Sequence, residues 1–156
     1  MILSLLLWAL SWGAMHQDPL PGLYLHLALE YQRTEPHANQ YFLPEQVEGK
    51  VLLKPDDFLG YDAETKTLLL SDSAKSSLNQ LDISMTGLPM VMALDEQPLL
   101  GFWLVNGQNT WGISWWVGKR TSQGIKLVPG QPRSSFQANY EDGEWEQSLN
   151  KMFPRD

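Results

Sequence analysis

The 156-residue chain contains no cysteine. Disulfide bonds, thiolate metal sites, cysteine nucleophiles and a lipid-modified cysteine are therefore all excluded. The absence says nothing about the redox compartment, because a chain without cysteine is compatible with any of them.

Basic residues are also scarce. The chain has 11 Lys and Arg against 18 Asp and Glu, which gives a net charge of −7. Binding to a phosphate backbone needs clustered Lys and Arg, so we expect no nucleic-acid partner. The acidic charge instead favours a basic protein partner. A hydrophobic content of 43% with 19% charged residues is typical of a globular domain.

The sequence carries no motif for a metal or cofactor. Histidine occurs only at His16, His26 and His37. Four residues of strand would separate His26 from Glu30 by about 13 Å, too far for a shared metal ion. No phosphate loop, dinucleotide fingerprint or zinc-ligand spacing is present. We therefore predict no metal and no cofactor, and the sequence identifies no catalytic residue.

The chain begins with an apolar run, MILSLLLWALSWGAM. About 14 apolar residues are too few for a helix to span a bilayer, so no transmembrane span is predicted. Their length and the small residues near the end are typical of a signal peptide, although no Lys or Arg precedes the run. We predict a cleaved signal peptide at 1–14, a single β-rich domain at 15–156, and a periplasmic or secreted protein. A buried terminal element is the alternative.

Alternating apolar residues and turn signals predict strands along most of the chain. Apolar and polar residues alternate over 23–32, and two apolar runs flank a turn at DAETK. Four more strands are predicted within 87–130, with turns at DEQP, at Asn106-Gly107 and within KRTSQG. Short helices are predicted at 73–81, with Asp72 or Ser73 as the N-cap, and in YEDGEWEQSLNKMF. The predicted fold is α+β and β-dominated. It is a curved antiparallel sheet or partly open barrel of about six or seven strands with one or two short helices.

Three tryptophans lie within TWGISWWVG at 110–118. If Asn106-Gly107 forms a hairpin turn, the two flanking strands pair antiparallel and their alternate residues share faces. One predicted face is core, formed by Leu100, Phe102, Leu104, Trp111, Ile113, Trp115 and Val117. On the opposite face, Trp103 and Trp116 would flank a floor of small residues, Gly101, Gly112 and Ser114.

That second face has two interpretations. Glycine within strands marks a close approach, so the face could be an aromatic slot that stacks on a sugar ring or on a partner's side chain. Alternatively, the C-terminal helix of the protein fills the slot with Trp145, Leu149 and Met152.

For function, the sequence favours a small exported binding domain that recognises a protein or a glycan through this aromatic face. Two alternatives stay open. One is a small secreted hydrolase whose catalytic groups come from the loops around His37, Asp56 and Asp57. The other is a structural accessory protein of the cell envelope whose tryptophans are internal.

Overall fold

A computed structural model describes residues 21–28, 49–85, 87–107, 113, 115–130 and 143–154. The predicted signal peptide at 1–14 lies outside these ranges. The strands are β1 (Leu23–Leu27), β2 (Val51–Leu53), β3 (Phe58–Asp62), β4 (Thr67–Leu70), β5 (Leu88–Leu94), β6 (Gln97–Val105), β7 (Trp116–Arg120) and β8 (Gly124–Pro129). The helices are α1 (Asp72–Asn79), α2 (Glu144–Met152) and a 3₁₀ helix at Pro55–Asp57.

The strands form one sheet in the order β2-β1-β5-β6-β7-β8-β4-β3, so β2 and β3 are its two edges. These edge strands are also consecutive in the chain, and the 3₁₀ helix joins Leu53 to Phe58. Five residues reach at most about 18 Å, whereas the edges of a flat eight-stranded sheet would be about 34 Å apart. The sheet therefore curls into a nearly closed barrel. This confirms the predicted β-dominated, partly open barrel, with eight strands rather than six or seven.

One strand pair departs from the predicted antiparallel arrangement. β6 and β7 are parallel, with Trp103 opposite Val117 and Leu104 opposite Gly118, and the other pairs are antiparallel. Residues 106–115 are therefore a crossover connection and not a hairpin. The prediction of a hairpin at Asn106-Gly107 is wrong.

The other turn predictions are confirmed. Asp62 Oδ1 accepts hydrogen bonds from the backbone N–H groups of Glu64 and Thr65, which fixes the turn of the β3–β4 hairpin. Residues 95–96 connect β5 to β6, and Thr121–Gln123 connect β7 to β8.

The barrel interior is a packed hydrophobic core. It includes Leu25, Leu68, Met90, Phe102 and Ile125, all essentially inaccessible to solvent. Packing is tight at Gly118, where an added Cβ would lie 2.6 Å from Cε2 of Phe102.

The two helices cover opposite ends of this core. α1 begins after Ser71, whose hydroxyl accepts a hydrogen bond from the Ala74 N–H, so the cap is one residue before the predicted Asp72 or Ser73. α1 contributes Leu78, whose carbonyl accepts a hydrogen bond from Arg120 at the end of β7. α2 covers the other end, where β7 begins, and its buried residues are Trp145 and Leu149. No helix in the described part of the chain is long and apolar enough to cross a membrane.

A second hydrophobic cluster, which we call the outer cluster, lies outside the barrel, over β5, β6 and β7. Its buried members are Ala28, Val91, Trp103, Val105, Ile113 and Val117. Ile113 lies in the sequence between β6 and β7, and its side chain packs on the outer surface of the sheet. The outside of the barrel is therefore sealed on one side by apolar packing.

Candidate functional site

The structure does not bring the predicted aromatic face together. Trp103 is 2% exposed and lies in the outer cluster, whereas Trp116 is 4% exposed and lies in the barrel interior. Gly101 is buried in β6. Gly112 and Ser114 lie outside the described residues.

The parallel crossover is the physical reason for this error. In the parallel register Val117, not Trp116, is opposite Trp103. Directly opposite residues share a face and successive residues alternate, so Trp103 and Trp116 lie on opposite faces of the sheet. The predicted assignment of Ile113 and Val117 to the face of Phe102 is wrong for the same reason, since both pack with Trp103. The prediction that Trp103 and Trp116 form a shared slot is therefore wrong. Trp111 lies outside the described residues.

Trp115 and Trp116, at the start of β7, both contact other residues of the protein. Trp115 donates its indole N–H to the carbonyl oxygen of Gly101 at 2.8 Å, so its side chain lies against this predicted floor residue. Trp116 packs edge-on against Trp145 of α2, with 5.2 Å between ring centroids. Trp145 of α2 therefore contacts Trp116 in the barrel interior, and not within a slot shared with Trp103.

One loop acid of the hydrolase alternative, Asp57, has a local structural role. Asp57 Oδ2 accepts a hydrogen bond from the Lys54 backbone N–H, which stabilises the 3₁₀ helix between the edge strands. Asp56 lies in the same helix, and His37 lies outside the described residues. Within the described ranges, no group of three or more His, Asp or Glu is placed to hold a metal ion.

The outer surface over β3, β4 and β8 differs in polarity from the surface that the outer cluster covers. We define the open face as Leu59, Leu69, Lys119 and Lys126. Leu59 is 68% exposed and lies at a bulge between Phe58 and Gly60 of the edge strand β3. Lys126 is exposed, and Leu69 and Lys119 are half-buried.

Two lysines are directly opposite each other on the open face. Lys119 of β7 pairs with Lys126 of β8, and Thr67 of β4 is the next residue in the same row. Like charges in such a cross-strand position destabilise a sheet by roughly 0.2–1 kcal/mol. The open face thus carries two lysines with apolar neighbours in an acidic protein.

The lysine pair was not recognised from the sequence, although a signal was present. The predicted turn segment KRTSQG contains Ser122 and Gln123, and Lys119 and Lys126 are equally far from the midpoint between these two residues. Residues at equal distances from a hairpin turn become cross-strand partners. The exposed Leu59 gave no comparable signal, because a bulge does not follow from alternation.

A second polar cluster lies where α2 meets the barrel. Lys66 Nζ is 2.7 Å from Glu146 Oε2 and lies 5.8 and 5.7 Å from the ring centroids of Trp116 and Trp145. The Tyr61 hydroxyl donates to Glu146 Oε1 at 3.3 Å. We call Trp116, Trp145 and Glu146 the aromatic corner. Its ion pair and cation–π contacts fix α2 to the β3–β4 turn.

Lys66 reaches the aromatic corner from an unusual backbone conformation. Its φ of 54° is left-handed, which costs a residue other than glycine roughly 1–2 kcal/mol. The contacts of its ammonium group offset this cost.

No protein-family model, no curated protein and no solved structure matches this chain.

Proposed function

We propose that this protein is a small exported binding domain whose open face recognises an acidic segment of a partner protein. The observation that carries the proposal is the pair of directly opposed lysines, Lys119 and Lys126, on the side of the barrel that the outer cluster leaves uncovered. A carboxylate placed between the two ammonium groups would accept a charge-assisted hydrogen bond from each of them.

The net charge of −7 opposes such a partner only at long range. At physiological ionic strength, charges more than about 8 Å apart are largely screened. A docked carboxylate would therefore interact more strongly with the two lysines beside it than with distant acidic residues. Net charge alone favours a basic partner, and the open face favours an acidic one.

Leu59 supplies the apolar part of the proposed contact. Burial of apolar surface contributes about 25 cal/mol per Å², and Leu59 is exposed beside the rows of β4 and β8 that carry Leu69 and Lys126. A stable interface covers about 800 Å² on each partner. The four residues of the open face would therefore be the centre of a larger contact, where most binding energy is concentrated.

The test compares charge reversals at two exposed lysines. Wild type, Lys126→Glu and Lys151→Glu are immobilised and exposed to envelope proteins of the host, and bound proteins are quantified by mass spectrometry. Lys151 is the matched control, because it is exposed on α2 at the end of the barrel. We expect an acidic protein that binds wild type and Lys151→Glu and is lost with Lys126→Glu and Leu59→Ser. Identical sets of bound proteins would refute the proposal. An uncharged glycan whose binding survives Lys126→Glu would favour glycan recognition elsewhere.

Export is supported by the N-terminal apolar run. Intact mass of the protein from its host should show the loss of the first 11–14 residues. A full-length mass would refute export.

The burial of Trp103, Trp116 and Trp145 favours a second candidate, a structural accessory protein of the envelope. In that case the protein should co-purify with a membrane complex, and charge reversal at Lys126 should leave the association intact.

A further inference from the structure

We propose that the aromatic corner is a binding site for alkylammonium ions, with Lys66 as its resident occupant and the lysine side chain of a partner as the ligand class that exchanges with it. This site is at the α2 end of the barrel and is separate from the open face. The proposal does not depend on the binding role of Lys119 and Lys126.

The corner has the components that proteins use to bind organic ammonium ions, namely aromatic walls and an anion. The rings of Trp116 and Trp145 meet at 78°, so they form two nearly perpendicular walls. Lys66 Nζ is almost equidistant from both ring centroids, and Glu146 completes its surroundings with a contact of 2.7 Å.

The carboxylate is oriented by a group other than the ammonium ion. Tyr61 donates its hydroxyl hydrogen to Glu146 Oε1, which leaves Oε2 for the cation. The Tyr61 ring also packs edge-on against Trp145, with 6.3 Å between centroids. Removal of the Lys66 side chain would therefore leave a site that is already shaped for a replacement cation.

Lys66 can leave the corner without unfolding the turn. The turn is held by Asp62, which accepts hydrogen bonds from Glu64 and Thr65. The side chain of Lys66 is 37% exposed and that of Glu146 is 17% exposed, so solvent reaches the ion pair. A competing ammonium ion thus has access to the carboxylate.

The test uses n-butylammonium chloride, which reproduces the charged end and the four carbons of a lysine side chain. The full chain is studied as Lys66→Gly, because glycine accepts the left-handed φ and removes the occupant. Lys66→Asn is the second variant, since asparagine also tolerates this conformation. Indole N–H resonances are followed by NMR, with Trp116→Phe and Trp145→Phe for assignment. Sodium chloride and n-butanol control for ionic strength and for apolar contact.

We expect saturable shifts of the Trp116 and Trp145 indole signals in Lys66→Gly, with a Kd of about 1–10 mM for so small a ligand. In wild type, competition by Lys66 should weaken binding at least about tenfold. The double variant Lys66→Gly/Glu146→Gln should lose the response, and n-butanol should cause none. Absence of saturation in both Lys66 variants would overturn the proposal. It would also be overturned if wild type or the double variant responded as strongly as Lys66→Gly.

Discussion

The ring of Phe102 lies against Gly118 across the parallel β6–β7 pair, at the point where a Cβ would be 2.6 Å from the ring. Both residues are buried in the barrel interior, so neither can move far. Gly118→Ala should therefore destabilise the protein by about 1–3 kcal/mol, as overpacking of a core does. Urea denaturation measures the change. Gly60→Ala is the matched control, because its Cβ would meet Leu69 Cδ1 at an ordinary 3.5 Å. Equal effects at the two positions would contradict the close contact at Phe102.

The lysine pair of the open face predicts a gain in stability on charge reversal. Lys126→Glu places a carboxylate opposite Lys119 and should stabilise the free protein by roughly 0.2–1 kcal/mol. Because exposed charges are screened, the gain should shrink at 1 M salt. Thermal denaturation at low and high salt measures both effects. A salt-independent change would show that something other than the lysine pair is responsible. A gain in stability together with loss of a partner would indicate that the repulsion is retained for binding.

We predict that replacing His26 on β1 stabilises the protein. Both of its ring nitrogens are buried, and neither has a hydrogen-bond partner among the described residues. A buried polar group without a partner costs about 1–3 kcal/mol, so His26→Phe, which keeps a planar ring, should raise the free energy of unfolding by about 1 kcal/mol. Chemical denaturation measures the difference. A clear loss of stability would contradict this expectation.

We predict that the ion pair in the first turn of α1 makes the stability of the fold depend on pH. The hydrogen bond from Lys75 to Asp72, followed by the charge of Lys75, lowers the pKa of the Asp72 carboxyl below its ordinary value of 3.8. A lowered folded-state pKa means that the pair stabilises the fold above pH 3.8, and this contribution is lost as the pH falls through the lower, folded-state value. NMR titration of the Asp72 carboxyl carbon measures its pKa directly. Lys75→Met should return the pKa towards its ordinary value, and an unchanged pKa would contradict the assigned cause.

Local signals in the sequence predicted the hairpins, whereas the long-range arrangement required the structure. Asp62 indicates its own turn in the sequence, because its side chain accepts hydrogen bonds from the backbone N–H groups two and three residues ahead. Asn106-Gly107 carries an equally strong turn signal, yet the chain continues there into a crossover to a parallel strand. Alternation assigns faces correctly between bulges such as that at Leu59, but a crossover resets which residues share a face. The aromatic corner was unpredictable for a related reason, because Lys66 and Glu146 are 80 residues apart.

The corrected faces of the sheet predict a pattern of energetic coupling among the tryptophans. Trp116 and Trp145 are in edge-on contact, so Trp116→Phe and Trp145→Phe should show a coupling energy of at least about 0.5 kcal/mol in a double-mutant cycle. Trp103 lies on the other side of the sheet, in a different cluster. Trp103→Phe and Trp116→Phe should therefore be additive within about 0.3–0.5 kcal/mol. Urea denaturation of the single and double variants measures both cycles. Strong coupling of Trp103 to Trp116 without coupling of Trp116 to Trp145 would restore the shared aromatic face, since only residues in contact, or sharing partners, couple by that much.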